Sequence, residues 1–510
     1  MDTGVSAEPT TKGGTATHQI HPLIVLLLLA VSVRLPLAFW PNVHHPDEVF
    51  QYLEPAWRLL GHDSIVTWEW HEGIRSWLLP TLLAGPVALG NWLAPGGAGA
   101  FIAPRVVAAL ASLSVVVSAW FIGARVSHMH AIVAAFAAAI WFELVHFAPH
   151  TLSEPLAAAV ILPAAALLTG VPSRKRSMIG GALLALGFVW RFQYAPAIAI
   201  LALWACCRYR QNAASLVLGG LGVLSIAGMV DVAHGTAPFE WLVLNIGENL
   251  LHGRAATFGV APAIAYVYFL FFIWSGATVL LLCATWPGCR HFPVLLVAAL
   301  VNLAFHSALE HKEYRFIFLT IPLLIITAAL GSADWGVALH EKPGWRPWAL
   351  PIILGGWAVI SVGLAGTEQM REFWLRGTGT ARLSAALRAD PELCALALYN
   401  TEWTGLSGRE RLTGSSSLYL FHPEDPMLTD PLPVLMQNLK PAFNRVVARP
   451  QTDLPKEFSS VKCAIDTSGD DVCIYARSGS CKSVGAEPFA INEVIVRIND
   501  NEKRTLKLPR

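Results

Sequence analysis

Charged side chains are scarce in this chain of 510 residues, because Asp, Glu, Lys and Arg together make up only 14% of it. Soluble domains carry about 25% of such residues. Hydrophobic residues account for 54% of the chain, and its mean hydropathy is +0.50. This composition excludes an ordinary water-soluble globule and makes the lipid bilayer the main solvent of the chain.

The chain also lacks an excess of basic residues, since its formal net charge is +1. Binding to nucleic acid requires a basic surface that neutralises phosphates, so nucleic acid is not expected as a partner. The eight cysteines show no zinc-binding spacing. Three of them, Cys463, Cys473 and Cys481, lie in the polar C-terminal part, where one pair is expected to form a disulfide if that part is outside the cytoplasm. The sequence leaves the choice of pair open.

Long apolar runs, in contrast, are abundant. Crossing a hydrocarbon core of about 30 Å takes about 20 apolar residues, and this criterion, tested against the placement of Lys and Arg, predicts eleven transmembrane spans. The predicted spans are residues 22–40, 101–125, 130–147, 151–170, 178–191, 194–207, 213–231, 261–286, 291–309, 315–331 and 348–366. Residues 1–20 are expected to form a disordered cytoplasmic tail. The basic segment 174–176 then lies on the cytoplasmic side, as the positive-inside rule requires.

A further apolar run, residues 73–93, would invert every later segment if it crossed the membrane. We therefore expect it to lie in the membrane interface, within a first outer loop formed by residues 41–100. Residues 21–366 are predicted to form an all-α polytopic transmembrane domain, and residues 367–510 a small extracytoplasmic α/β domain. Within that domain, the segments typical of strands or of an amphipathic helix are CALALYN, VCIYAR and ARLSAALR.

The first outer loop begins with HHPDEVFQYLEPAWRLL, in which apolar residues recur at helical spacing. The pattern predicts an amphipathic interfacial helix with a kink at Pro55. Its wet face is expected to carry four polar residues, Glu48, Gln51, Glu54 and Arg58. Asp47 falls at the N-cap of this helix, where a carboxylate satisfies a free backbone N–H and needs no catalytic role.

A catalytic interpretation of Asp47 competes with the capping one. Asp47 and Glu48 stand with His44 and His45 at the membrane rim rather than in a solvated run of charges. Such clusters favour acid–base chemistry, in which a carboxylate held at a helix start stays ionised and fixed while a proton is transferred.

The same loop continues with TWEWHEGIRSW, which is rich in tryptophan. Trp68 and Trp70 offer flat apolar faces on which a sugar ring can stack, and Glu69 and Arg75 add polar contacts for a sugar or an acceptor. An aromatic belt at the membrane interface explains the same tryptophans equally well. The sequence does not decide between these interpretations.

A second charged cluster lies in ALEHKEYRFIF, between two predicted spans at the non-cytoplasmic edge. Ionisable groups at that depth are candidates for function, and His311, Lys312 and Arg315 can neutralise a phosphate. The alternative is that the two cations only snorkel at a helix end. Arg191 is predicted at the same edge, where an isolated arginine needs a phosphate or a carboxylate as partner.

Three strings, HPDEVFQYLEPAWRLL, TWEWHEGIRSWLLP and HKEYRF, together resemble glycosyltransferase family 22. That family holds the GPI mannosyltransferases and the dolichol-dependent mannosyltransferases of N-glycan assembly. The resemblance is dense over residues 44–86 and again over residues 311–316, and it is weaker through the predicted membrane region.

The resemblance implies a GT-C fold and an enzyme that transfers mannose, with inversion, from a polyprenyl or dolichyl phosphate mannose donor to a lipid-linked or cell-surface glycan. It implies no cofactor and no bound metal. It carries the acidic, catalytic function onto Asp47 and Glu48, and the basic one onto His311, Lys312 and Arg315. The active site would face the extracytoplasmic side of a multi-pass protein.

Two features depart from this picture. The chain has no Asn-x-Ser/Thr sequon and no ER-retention signal, and its richness in Ala and Arg favours a bacterial inner membrane over the endoplasmic reticulum. An alternative function is a transporter or flippase for lipid-linked sugars, which also needs many helices. A transporter predicts polar groups near the middle of the membrane, whereas here they gather at one edge.

Overall fold

The computed structural model describes residues 15–401, 408, 416–428, 430–465, 471–482 and 484–506. Most of these residues are helical, and a five-stranded sheet follows near the C-terminus. Residues 1–14 of the predicted tail lie outside the described residues. The rest of that predicted tail is wrong, because the first helix already begins at Thr15.

Nineteen helices precede the C-terminal part in the described residues. They are α1 (Thr15–Ala38), α2 (Glu54–Leu59), α3 (Trp68–His71), α4 (Leu78–Leu93), α5 (Gly99–Ala111), α6 (Leu113–Gly123), α7 (His128–Ile140), α8 (Phe142–His146), α9 (Ser153–Leu168), α10 (Arg174–Trp190), α11 (Ala195–Arg208), α12 (Ala213–Ala233), α13 (Glu240–Ile246), α14 (Arg254–Thr257), α15 (Ala265–Trp274), α16 (Ala277–Gly288), α17 (Pro293–Ala308), α18 (Thr320–His340) and α19 (Ala349–Ala365). Short π-helical or 3-10 turns lie between them at Glu48–Leu53, Phe192–Tyr194, Arg210–Asn212, Gly247–Leu251 and Tyr314–Ile317.

Each predicted span coincides with one of these helices or with two consecutive ones. Four helices of the described part are long and apolar enough to cross a bilayer: His21–Ala38, Gly99–Gly123, Arg210–Ala233 and Thr320–His340. Two bent pairs raise that number to six. Several other apolar helices have only 10–17 residues, which is short of the roughly 20 that a straight crossing takes. The chain is a polytopic membrane protein, and the count of eleven crossings stays a prediction.

The apolar run 261–286 differs from the single crossing predicted for it. It forms α15 and α16, which are bent by 106° against each other. The break lies at Ser275, whose φ of 48° is incompatible with a continuing right-handed helix. Trp274 at the end of α15 donates its indole N–H to Glu143 at 2.6 Å, so a buried carboxylate holds the bend.

Helix α18 forms the centre of the helical part, because every residue from Thr320 to Ala333 is buried. It crosses α16 at two glycines. A Cβ at Gly331 would lie 1.9 Å from the carbonyl oxygen of Ala284, and a Cβ at Gly288 would meet Thr327 as closely, at 1.9 Å. Small residues of this kind allow membrane helices to approach backbone to backbone.

The C-terminal part contains four described helices and one mixed sheet. Its elements are α20 (Glu368–Leu375), α21 (Thr378–Arg388), β1 (Ala395–Tyr399), β2 (Ser417–Phe421), α22 (Leu432–Leu439), β3 (Arg445–Ala448), β4 (Ser459–Ala464), β5 (Val472–Ala476) and α23 (Ile491–Leu506), with 3-10 turns at Lys440–Ala442 and Glu487–Phe489. The strand order is β2-β1-β3-β5-β4. Strands β2, β1 and β3 are parallel, whereas β5 runs antiparallel to both of its neighbours. The predicted strands CALALYN and VCIYAR correspond to β1 and β5, and the predicted amphipathic helix corresponds to α21.

The last helix attaches this sheet to the first outer loop. Asn492 of α23 donates to the carbonyl oxygen of Ser64 at 2.9 Å and accepts from the backbone N–H of Val66 at 2.9 Å. About two turns further on, Asn499 donates to Glu72 at 2.9 Å. The end of the chain therefore holds a segment near its beginning.

Two disulfides cross-link the C-terminal part. Cys463 and Cys473 join the neighbouring strands β4 and β5, which is one of the pairs left open by the sequence. Cys481 pairs with Cys394, just before β1, and that partner was not predicted. Cys394 is the first residue of the predicted strand CALALYN, and the spacing of the last three cysteines does not indicate it as a partner.

The two disulfides are expected to contribute unequally to stability. The bridge Cys394–Cys481 closes a separation of 87 residues and the bridge Cys463–Cys473 one of 10. Loop-closure entropy then gives about 4.6 and about 2.7 kcal/mol, respectively. We expect C394S/C481S to lower the urea midpoint for proteolysis of the C-terminal part more than C463S/C473S does. Equal midpoints for the two double variants would contradict this ranking.

Candidate active site

The turn that carries the predicted carboxylates is more deeply buried than its pattern suggested. A π-helical turn, Glu48–Leu53, leads into α2, and Pro55 stands in the first turn of α2, where the break was predicted. The expected wet face is wrong for Glu48, Gln51 and Glu54, which are buried, whereas Arg58 is exposed as predicted. Each of the three side chains finds a polar partner in a distant segment, which the helical period cannot show.

Asp47 stands at the N-cap position, but it does not act as a cap. Within the described residues of this turn, its side chain makes no capping hydrogen bond. One carboxylate oxygen instead lies 2.7 Å from a terminal nitrogen of Arg315, and the other lies 3.5 Å from the ring of His45. The capping interpretation is therefore wrong for the side chain, and the two clusters singled out in the sequence meet at this contact.

Arg315 is the centre of the cluster and is only 3% exposed. Besides Asp47, its guanidinium donates to Glu154 at 2.9 Å and to Glu313 at 2.6 Å. Glu313 also lies 3.3 Å from Nε2 of His45. The planar guanidinium has five N–H donors in a fixed fork, so one side chain can hold three carboxylates in a defined arrangement.

Glu154 was missed in the sequence, although it joins the predicted arginines to each other. It is fully buried at the start of α9, and the same oxygen that accepts from Arg315 lies 3.3 Å from Arg191. The guanidinium of Arg191 also stacks 4.7 Å from the ring centre of Phe316. The signal was an acidic residue within the apolar run 151–170, which is costly without a charged partner.

Arg315 lowers the pKa values of Asp47 and Glu313, the two partners that lie outside the membrane-spanning helices. Burial alone would raise the pKa of Asp47, but the Arg315 guanidinium and then His45 outweigh it and hold that pKa well below the usual range. Burial likewise opposes ionisation of Glu313, while Arg315, His45 and His311 lower its pKa far below normal. Both carboxylates are therefore ionised at neutral pH.

Glu48 belongs to a separate buried network. It accepts from the backbone N–H of His44 at 2.6 Å and from the ring of His150 at 2.9 Å. Burial acts to raise the pKa of Glu48, but His150, together with Arg105 and the backbone N–H of His44, outweighs it and lowers that pKa. Of the two predicted catalytic carboxylates, Asp47 faces Arg315, and Glu48 fixes the turn behind it.

Of the remaining basic residues of the second cluster, His311 contacts Glu313 and Lys312 does not contact the carboxylates. Lys312 donates to the backbone carbonyl oxygens of Ala261, at 2.9 Å, and of Leu309. His311 contacts the carbonyl oxygen of Gly259 and a Glu313 oxygen, at 2.9 and 3.0 Å, respectively. The hydrogen bond to Glu313 is the main reason that the pKa of His311 is raised. The structure therefore places Lys312 beside loop carbonyls rather than with the carboxylates, because the preceding loop folds over its ammonium group.

The side chains of the tryptophan-rich segment mostly contact one another and nearby loops. The ring of Trp68 is covered by the guanidinium of Arg254, 3.8 Å from the ring centre. The ring of Trp70 lies 4.4 Å from that of Trp77. Glu69 contacts Arg75 at 3.5 Å. The stacking role predicted for Trp68 and Trp70 stays a prediction, and in this structure their faces are taken by neighbouring side chains.

Arg75 and Arg191 both line one small cleft. Its other polar lining residues are Tyr52, Ser76, Ser153, Gln193 and Asn245. Among the described residues, no hydrogen-bond acceptor faces the buried Nε of Arg75 or that of Arg191. A buried donor without an acceptor is costly, so both arginines beside the cleft are incompletely paired.

Comparison with solved structures defines the class of the fold. The chain resembles ArnT from Cupriavidus metallidurans bound to undecaprenyl phosphate, with a TM-score of 0.58 and 12% identity over 93% of this chain and 100% of the other. The apo structure of the same ArnT gives a TM-score of 0.56. The architecture is thus of the GT-C type, a multi-helix membrane protein with a small C-terminal domain.

The sequence model of the Alg9-like mannosyltransferase family matches residues 25–368, and the chain belongs to that family. Curated relatives include GPI mannosyltransferase 3 of Drosophila melanogaster, 28% identical over 65% of this chain and 60% of the relative. The same enzyme of Yarrowia lipolytica is 29% identical over 60% of this chain and 61% of the relative. Human GPI alpha-1,2-mannosyltransferase 3 is 24% identical over 65% of this chain and 60% of the relative. The chain therefore spans about 60% of the length of these relatives, which all come from eukaryotes.

The pH dependence of stability should reveal that Arg315 keeps Asp47 and Glu313 ionised. Because the pKa values of Asp47 and Glu313 are lowered on folding, their contribution is present above the unfolded pKa values of about 4 and is lost only as pH falls through the folded ones. We expect little change in the wild-type Tm from about pH 8 to pH 5. In R315Q, burial without the cation raises both pKa values. Stability is then lost as pH rises, so Tm increases on acidification.

The measurement is a thermal melt of the full chain in detergent across this pH range. R315Q should also be less stable overall by about 3–5 kcal/mol, because the buried Glu154 and the partly buried Asp47 and Glu313 lose a shared cation. R371Q, which removes an exposed arginine, serves as the control and should follow the wild-type pH profile. A R315Q variant whose Tm falls on acidification would contradict the assignment.

Proposed function

We propose that this protein is an inverting mannosyltransferase that moves mannose from a polyprenyl phosphate mannose donor to a lipid-linked or cell-surface glycan. The observation that carries the proposal is the Asp47 carboxylate, which is ionised, does not cap its helix and is held by Arg315. Membership of the Alg9-like family supports mannosyl transfer. The ArnT of similar fold was solved with undecaprenyl phosphate, a lipid of the same chemical class as the proposed carrier.

In the proposed reaction, Asp47 is the general base. A hydroxyl oxygen of the acceptor attacks the anomeric carbon of mannose, and the bond from that carbon to the phosphate oxygen breaks. The hydroxyl proton passes to Asp47, and the polyprenyl phosphate leaves as an anion. Arg315 fixes the carboxylate in position and keeps it unprotonated before the attack.

Arg75 and Arg191 are the proposed cations for the departing phosphate. Both line the cleft, where a guanidinium group can donate to a phosphate oxygen. Arg191 is linked to Arg315 through the shared oxygen of Glu154, so the phosphate site and the base belong to one connected set of charges. Two guanidinium groups can neutralise the phosphate charge by themselves, and the proposed step uses no cofactor.

The active site is proposed to face the extracytoplasmic side. Two disulfides lie in the C-terminal part, and disulfides persist in oxidising compartments. Helix α23 binds that part to the first outer loop, which carries Asp47. The bacterial inner membrane remains a prediction from composition alone. Because the relatives named above are GPI mannosyltransferases, a GPI-type lipid-linked glycan is the first acceptor to test.

The test is transfer of labelled mannose from a polyprenyl phosphate carrier to candidate acceptor lipids by the full chain in detergent. We expect D47N to lose about 10²- to 10⁴-fold in kcat, the range of a general base. D47E should retain part of the activity, because it keeps a base at a displaced position. R191Q should raise KM for the donor more than it lowers kcat if this arginine binds the phosphate in the ground state.

Two controls separate the base from general damage to the loop. D63N removes an exposed carboxylate from the same loop and should transfer mannose at the wild-type rate. The thermal melt of D47N shows whether the fold survives the loss of the contact with Arg315. A folded D47N that transfers mannose as fast as wild type would refute the role of Asp47 as base.

A further inference from the structure

A second cluster of ionisable side chains lies far from the candidate active site. His130 at the start of α7, His291 in the connection between α16 and α17, and Asp334 in α18 converge at one point. One Asp334 oxygen lies 3.0 Å from Nε2 of His130 and 3.0 Å from Nε2 of His291. The mannosyltransferase reaction proposed above makes no use of these residues.

The helical core places these ligand atoms by tight backbone contacts. Gly288 and Gly331 form the close crossing of α16 and α18, and each stands three residues before a member of the cluster, His291 or Asp334. The third member is placed similarly, because a Cβ at Gly123 would lie 2.4 Å from the carbonyl oxygen of His130. The positions of all three side chains therefore follow from contacts that leave the backbone little freedom.

The orientation of His130 is fixed by a neighbour on its own helix. Its Nδ1 lies 2.7 Å from the hydroxyl of Ser127, which also caps α7 by accepting from the backbone N–H of His130. A hydrogen bond at Nδ1 sets the ring angle and leaves Nε2 directed at Asp334. Histidine ligands of metal ions are commonly held by a second hydrogen bond of this type.

The spacing and chemistry of the three groups fit a four-coordinate metal ion. Metal–ligand bonds of about 2.0–2.1 Å in a tetrahedron place the ligand atoms about 3.3 Å apart, close to the separations of 3.0–3.1 Å between Asp334 and the two rings. Two imidazoles and one carboxylate suit zinc and similar divalent transition metals. We propose that His130, His291 and Asp334 bind one such ion, with water as a fourth ligand.

The exposure of the three side chains agrees with a site that is anchored on one side and open on the other. The side chain of His130 is 4% exposed, whereas those of His291 and Asp334 are 26% and 33% exposed. A metal ion can therefore enter from solvent, and a water molecule can reach the fourth position. Since the ligands come from α7, α18 and the α16–α17 connection, the bound ion clamps three segments together.

This metal site is separate from the transfer reaction. From Thr320, near Arg315, α18 runs fourteen residues to Asp334, which is about 21 Å along a helix. The predicted threading puts this end on the cytoplasmic side, opposite to the candidate active site. The role of the ion is to stabilise the helical core, so the proposal stands or falls independently of the mannosyltransferase activity.

The direct test is zinc binding by the full chain in detergent after chelator treatment and removal of the chelator. We expect one zinc per chain for wild type by elemental analysis, and at least a tenfold loss of zinc affinity in H291A and D334N. Zinc should raise the wild-type Tm and leave the Tm of both variants unchanged. Co²⁺ in place of zinc should give the visible absorption of a four-coordinate site in wild type and not in D334N.

His128 provides a matched control, because it is exposed on the same first turn of α7 and outside the cluster. H128A should bind zinc as wild type does. If the wild-type chain holds no zinc at micromolar concentrations, the three side chains are joined only by hydrogen bonds and the proposal is wrong. Unchanged zinc content in both H291A and D334N would also overturn it. D334N keeps the size of the side chain and, with the thermal melt, excludes misfolding as the cause of lost binding.

Discussion

The candidate active site depends on one guanidinium group that is shared by three carboxylates. Arg315 comes from a short turn before α18, while Asp47 and Glu154 come from the first outer loop and from α9. Removing a charged group from water costs several kcal/mol unless it is paired, so the arginine that all three carboxylates share makes their close approach possible. The pairing that brings three distant segments together is also what keeps Asp47 ionised and in place.

Much of this arrangement follows from the sequence. The scarcity of charge identifies a membrane protein, and the two remaining groups of charges mark the segments that meet, with Asp47 in one and Arg315 in the other. Glu154 was not predicted as a site residue, because a single acidic residue in an apolar run leaves the mean hydropathy high. The burial of Glu48, Gln51 and Glu54 could not be predicted either, since the helical period does not reveal partners that come from other segments.

Lys312 is a second residue whose contacts could not be predicted from the sequence. Its charge made it a natural phosphate ligand in the sequence, but its ammonium group binds the carbonyl oxygens of a neighbouring loop. Arg75 was predicted to contact a sugar, yet it faces the same cleft as Arg191. Residue type predicted which side chains carry charge, whereas the path of the backbone decided which of them lie beside the cleft.

The docking of α23 onto the first outer loop has a consequence for biogenesis. Glu72 and its partner Asn499 are 427 residues apart, and a ribosome that adds about 5–20 residues per second needs roughly 20–85 s to synthesise that interval. The loop therefore emerges long before the helix that completes its contacts. During this delay its polar groups must remain hydrated or be held by assembly factors, so maturation of the outer face is one of the last events in the synthesis of the protein.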